Sequence, residues 1–116
     1  MIMALITDEQ RQQLLANGRA AAQGKRGDPY PVVKLFTPDA HATWLLAEVD
    51  PVDGDTAYGL CDVGLGAPEL AHIKLSDLEA MQGPNKLPVQ RDLHFKPKRR
   101  LSEYAAQARA DGSIND

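Results

Sequence analysis

Through the middle of the chain, short runs of leucine, valine and aromatic residues are separated by Pro, Asp and Gly. Near both ends the apolar residues instead fall within long stretches of helix-forming residues. The first pattern is that of strands joined by tight turns, the second that of helices laid against them. Thr7-Asp8-Glu9-Gln10 opens the first helix as a capping box, in which the Thr7 hydroxyl accepts from the Gln10 amide and the Gln10 side chain reaches back. Its body, Arg11 to Gln23, has a thin apolar face of Leu14, Leu15, Ala21 and Ala22. Gly18 weakens it by about 1 kcal/mol relative to alanine, and Gly24 is a natural stop.

After the turn residues Gly27-Asp28-Pro29-Tyr30-Pro31, three strand-like runs follow: Val32 to Thr37, Thr43 to Val49 and Thr56 to Val63. Asp53-Gly54 marks the hairpin between the second and third. Pro68 to Leu75 supplies a fourth run, with Leu70, His72 and Lys74 on one face and Ala71, Ile73 and Leu75 on the other. Ser76-Asp77-Leu78-Glu79 is read as a second capping box, opening a short helix that stops at Gly83-Pro84. Asp92 to Lys96 suggests an extra strand. Ser102 is then expected to cap a last helix with an apolar stripe of Leu101, Tyr104, Ala105 and Ala108, ended by Gly112. The expected fold class is α+β over residues 1–116 as one domain: a small antiparallel meander of about four strands, with helices before, between and after.

The charge is unevenly spread, which changes the picture. From Leu35 to Ile73 there is no Lys or Arg, while Asp39, Glu48, Asp50, Asp53, Asp55, Asp62 and Glu69 fall there. From Lys86 to Arg100 the balance reverses, with Lys86, Arg91, Lys96, Lys98, Arg99 and Arg100 against Asp92 alone. The net charge of −3 therefore covers one acidic and one basic surface, and argues against general nucleic-acid binding. A single cysteine makes no internal disulfide, as suits a reducing cytoplasm. The apolar start, Met1 to Ile6, is too short for a signal peptide or a membrane span, so no membrane partner is expected.

The stretch Cys61-Asp62-Val63-Gly64-Leu65-Gly66-Ala67-Pro68-Glu69 holds the most suggestive chemistry. As a phosphate cradle it fails, because Glu69 stands where a dinucleotide fingerprint has its third glycine and a strand rather than a helix follows. Glycines adopting positive φ in a turn account for it better. Cys61 has acidic neighbours, which disfavour a thiolate, and reads as a small buried apolar residue. His41, His72 and His94 stand singly without metal-ligand spacing, so no metal or cofactor is expected. A hairpin centred on Asp53-Gly54 pairs residue 45 with 62, placing Asp62 on the Leu45 side and Glu48 on the other, against an acid/base pair. Trp44 and Tyr58 are expected to anchor the core. Lys96, Lys98, Arg99 and Arg100, with Phe95 beside them, remain as a stripe suited to phosphate contact and base stacking, or as a solvated loop.

Several segments resemble a known set: Tyr30-Pro31-Val32-Val33-Lys34-Leu35-Phe36-Thr37-Pro38, Ala42-Thr43-Trp44-Leu45-Leu46, Tyr58 to Gly66 with Pro68-Glu69-Leu70, Arg91-Asp92-Leu93-His94-Phe95, and Leu101-Ser102 with Tyr104-Ala105. Together they are similar to the bacterial family of unknown function numbered 2958, whose members are typically encoded on plasmids and integrative conjugative elements. Ala71 stands where relatives are expected to have glycine. The resemblance implies an accessory protein of mobile DNA and transfers no catalytic residue.

Two function classes follow. One is a non-enzymatic binding module that contacts a macromolecule through its charged faces: a protein partner, or a nucleic acid through residues 96–100, with Asp62 and Glu69 on the acidic contact surface. The other is a small enzyme with a site around Asp62, Glu69 and His72.

Overall fold

A computed structural model describes residues 5–116. Residues 1–4 of the apolar start lie outside it, while Leu5 and Ile6 are buried in the core. The first helix, α1 (Asp8–Ala22), begins as its capping box predicts: the Gln10 amide donates to Thr7 Oγ1 at 3.1 Å and the Thr7 amide to Gln10 Oε1 at 2.9 Å. Four strands follow as a meander, β1 (Val33–Phe36), β2 (Thr43–Val49), β3 (Thr56–Asp62) and β4 (Glu69–Lys74). Next come α2 (Leu75–Ala80), β5 (Gln90–Arg91) and α3 (Leu101–Asp111). The sheet order is β4-β3-β2-β1-β5 and every pairing is antiparallel, so the α+β class holds with one strand more than the meander.

The sheet has two buried faces. One carries Val33, Leu35, Trp44, Leu46, Val49 and Ala57 against Leu14 of α1 and Leu75 and Leu78 of α2. The other carries Leu45, Ala47 and Leu60 against Leu101, Tyr104, Ala105 and Ala108, the stripe expected of α3. Full burial of each large side chain contributes about 1.5–3 kcal/mol. β2 is accordingly buried at six consecutive positions, Trp44 to Val49. Gly18 is there for contact: a Cβ at that position would collide with the Val49 carbonyl, so the glycine lets α1 lie directly on β2.

Several boundaries differ from the sequence reading. Serines 76 and 102 cap nothing themselves, for both lie inside the first turn of their helices. The Ser76 amide and hydroxyl donate instead to the two oxygens of Asp55, at 2.9 and 2.7 Å. The Ser102 amide donates to Asp28 Oδ1 at 3.1 Å and its hydroxyl to Oδ2 of the same residue. An aspartate from a distant turn therefore supplies each cap, leaving the local serine as donor. The middle helix ends at Ala80, ahead of the Gly83-Pro84 expected to stop it. The extra strand is Gln90–Arg91, not Asp92 to Lys96: Asp92 donates the last ladder bond to the Lys34 carbonyl, and its carboxylate then accepts from the His94 amide at 2.8 Å, turning the chain off the edge.

The β2–β3 register corrects a second expectation. Leu45 pairs with Leu60 rather than residue 62, because the connection is a loop from Asp50 to Asp55, closed by Asp50 and Thr56. Between Leu46 and Glu48 the register shifts by a bulge. Asp62 stays on the Leu45 side as expected. Glu48, expected on the opposite side, lies across from Tyr58, which is partly buried against the cluster on the α3 face.

Candidate functional site

The bulge assembles the most developed polar site. Glu48 is 4% exposed, yet it is not left unpaired. Arg26, in the stretch that follows α1, donates from Nε to Glu48 Oε2 at 2.6 Å and from Nη2 to Oε1 at 3.1 Å. Its guanidinium carbon stands 4.4 Å from the centre of the Tyr58 ring, and the Tyr58 and His72 rings are 4.8 Å apart at 47°. These four residues, with Gly18, Ala21 and Ala22 of α1 and Asp50, line a cleft of about 220 Å³. A fork-to-carboxylate pair with an aromatic face beneath it is a strong arrangement for a planar cation, since Arg loses little freedom per bond formed. Sequence reasoning missed it. Glu48 was assigned to the wrong side, and Arg26 sits in a turn-rich stretch with no periodicity to mark it.

The structure does not bring Asp62, Glu69 and His72 together. Asp62, 5% exposed, has both oxygens in use as a tie: Oδ1 accepts from the Gly64 amide at 2.9 Å and Oδ2 from the Ile114 amide at 3.1 Å. Gly64 and Gly66 have φ of 83° and 79°, so the turn reading of this stretch holds. Glu69 is exposed and lies across from Cys61; His72 is exposed and lies across from Tyr58. Asp62 and Tyr58 are four positions apart along β3, about 13 Å at the rise of a strand. Glu48 and Asp62 are therefore separated by length along the sheet rather than by face.

Cys61 is half-buried against the α1 face, and burial pushes its thiol up to about 11. Such a sulfur is a poor nucleophile at neutral pH. Among the described residues no group of three or more His, Cys, Asp or Glu is placed to hold a metal ion, and no helix is long and apolar enough to cross a membrane.

The segment from Phe95 to Arg100 is neither helix nor strand. Lys96, Lys98, Arg99 and Arg100 are all exposed, and Phe95 is half-buried against the α3 cluster. The backbone is nonetheless held: the Lys98 amide donates to the Tyr104 hydroxyl at 3.0 Å, the Arg100 amide to Glu103 at 3.0 Å, and the Leu101 amide to the Pro29 carbonyl at 2.9 Å. Arg99 donates to Gln107 at 2.6 Å, and Arg100 stacks on Tyr30 at 4.4 Å while donating to the Asp28 carbonyl at 3.1 Å. None of the four forms an ion pair among the described residues. Arg26 and Lys34 do, the latter with Asp92 and Asp116.

Residues 5–115 match the model of a family described as protein of unknown function (DUF2958). No curated protein and no solved structure matches the chain.

Proposed function

The chain belongs to the DUF2958 family, and we propose that it is a non-catalytic binding protein, an accessory of mobile DNA, that docks an acidic protein surface on the segment from Phe95 to Arg100. The mobile-DNA context rests on the resemblance of segments such as Tyr30 to Pro38 and Arg91 to Phe95. The docking surface rests on one observation. Four exposed cations within five residues have no ion-pair partner among the described residues, on a backbone fixed by three hydrogen bonds to α3 and to Pro29. A preformed array of unpaired charge steers an oppositely charged partner and loses little entropy on docking. Phe95 favours a protein over a single-stranded nucleic acid as the partner. Its side chain is half-buried against the hydrophobic cluster shared by the sheet and α3 rather than standing free as a stacking platform.

Fluorescence anisotropy with a glutamate-rich peptide, and with duplex and single-stranded oligonucleotides, tests this. The peptide is expected to bind at low salt. Replacing Lys96, Lys98, Arg99 and Arg100 by alanine should weaken it by about 10-fold or more, equivalent to 1.4 kcal/mol. Undiminished peptide binding by that variant would remove the basic segment as the docking surface. Oligonucleotide binding tighter than peptide binding, with a log–log salt slope of about −0.9 per phosphate contact, would replace the protein partner by a nucleic acid.

A further inference from the structure

A guanidinium group is recognised by two features acting together: a carboxylate that takes its planar fork through two N–H bonds, and an aromatic face on which the plane rests. Both are present at the cleft beside β2 and β3. Glu48 accepts at both oxygens, at 2.6 and 3.1 Å, and the Tyr58 ring lies 4.4 Å from the bound guanidinium carbon with His72 packed beside it. The receiving groups sit on sheet strands. The occupant does not: Arg26 lies in an exposed stretch that is neither helix nor strand, and its side chain is 43% exposed against 5% for Glu48.

The cleft also has open space and a net charge that suit a second cation. About 220 Å³ lies beside the pair, walled on the α1 side by Gly18, Ala21 and Ala22, which carry no side chain beyond Cβ. Asp50 on the lining adds a second carboxylate. With Arg26 withdrawn, the lining holds two carboxylates and no Lys or Arg among the described residues.

From this geometry we infer that the cleft is a recognition site for the arginine side chain of a partner peptide, and that Arg26 holds the site in the free protein. The incoming guanidinium takes the Glu48 fork and the Tyr58 face, and Arg26 is released to solvent. Lysine is discriminated against, because a point-like ammonium matches neither the fork nor the plane. A tethered competitor acts at an effective concentration on the millimolar scale, so the native chain binds a free arginine weakly and a chain with a poorer tethered competitor binds it more tightly. None of this depends on residues 95–100.

Titration of the full chain with N-acetyl-arginine amide, following the Tyr58 and His72 ring resonances by NMR, tests the assignment. N-acetyl-lysine amide at equal ionic strength is the control. A saturable shift with the arginine probe and none with the lysine probe is expected. Arg26→Lys, which keeps the charge and loses the fork, should bind the arginine probe about 10-fold more tightly than the native chain. Glu48→Gln should lose the response; if that variant does not fold, Tyr58→Leu should weaken it. Three outcomes overturn the inference. In one, Arg26→Lys responds and the native chain does not, so the pair is fixed. In another, the two probes act equally, as mere screening would. In the third, the response survives in Glu48→Gln or is undiminished in Tyr58→Leu.

Discussion

Arg26 and Arg100 each stack on a tyrosine with the guanidinium carbon 4.4 Å from the ring centre, yet the two stacks do different work. Around Arg26 the acceptor is the buried carboxylate of Glu48, taken by both arms of the fork. Around Arg100 the acceptor is a neutral backbone carbonyl, that of Asp28, and the ring beneath, Tyr30, is 46% exposed. The aromatic contact alone is worth about 0.5–1 kcal/mol at an exposed site. Charge and burial of the acceptor therefore decide what each arginine does. One is tied to a buried carboxylate, and the other forms no ion pair among the described residues.

The largest effect that separates the two regions is expected from Arg26→Ala. It leaves Glu48 buried without its cation. Breaking a fully buried pair costs about 3–5 kcal/mol and an exposed one less than about 1. With one partner buried and the other half-exposed, a loss of about 2 kcal/mol in denaturant unfolding is expected. A loss below about 0.5 kcal/mol would place the two arginines in one class.

Asp28→Ala comes next, and it sharpens the second region. Its carboxylate accepts from both the amide and the hydroxyl of Ser102, and losing that cap should destabilise α3 by about 1 kcal/mol. The hydrogen bonds from Ser102, with a smaller contribution from the Arg100 charge, hold the Asp28 carboxyl below its ordinary value. A carboxyl depressed in the folded state takes its proton more readily when unfolded, so its stabilisation is present above about pH 4 and lost as pH falls below it. Asp53, held down to about 2 chiefly by the Thr56 hydroxyl, adds to the same acid limb from a different turn. Asp28→Ala should therefore flatten the fall in stability below about pH 4 only in part. An unaltered acid limb would mean that Asp28 does not carry this linkage.

Arg100→Ala is expected to change stability least, by less than about 1 kcal/mol in thermal unfolding. Its effect should appear in binding of the glutamate-rich peptide, as a reduced salt dependence. A stability loss as large as that of Arg26→Ala would show that the Tyr30 stack serves the fold and not a partner.

Much of this molecule was legible in its sequence. The Thr7–Gln10 capping box formed as read because both partners lie three residues apart and need nothing else. The four strands of the meander, the positive φ of Gly64 and Gly66, and the stripe of Leu101, Tyr104, Ala105 and Ala108 likewise depend on periodicity and on local backbone sterics. The two serine caps were misread because the better acceptor for each came from afar, Asp55 for Ser76 and Asp28 for Ser102. The bulge that turns Glu48 toward Tyr58 has no glycine on its own strand. The glycine at the bulge is Gly59 on β3, opposite Leu46, where a Cβ would collide with the Leu45 carbonyl, and a run buried on both faces, Leu45-Leu46-Ala47, hides the break in alternation. The Arg26 site follows from that bulge and from where the chain passes after α1. Local interactions are written in the order of residues. A buried charge takes whichever partner the packing brings within reach, and only the tertiary structure decides that.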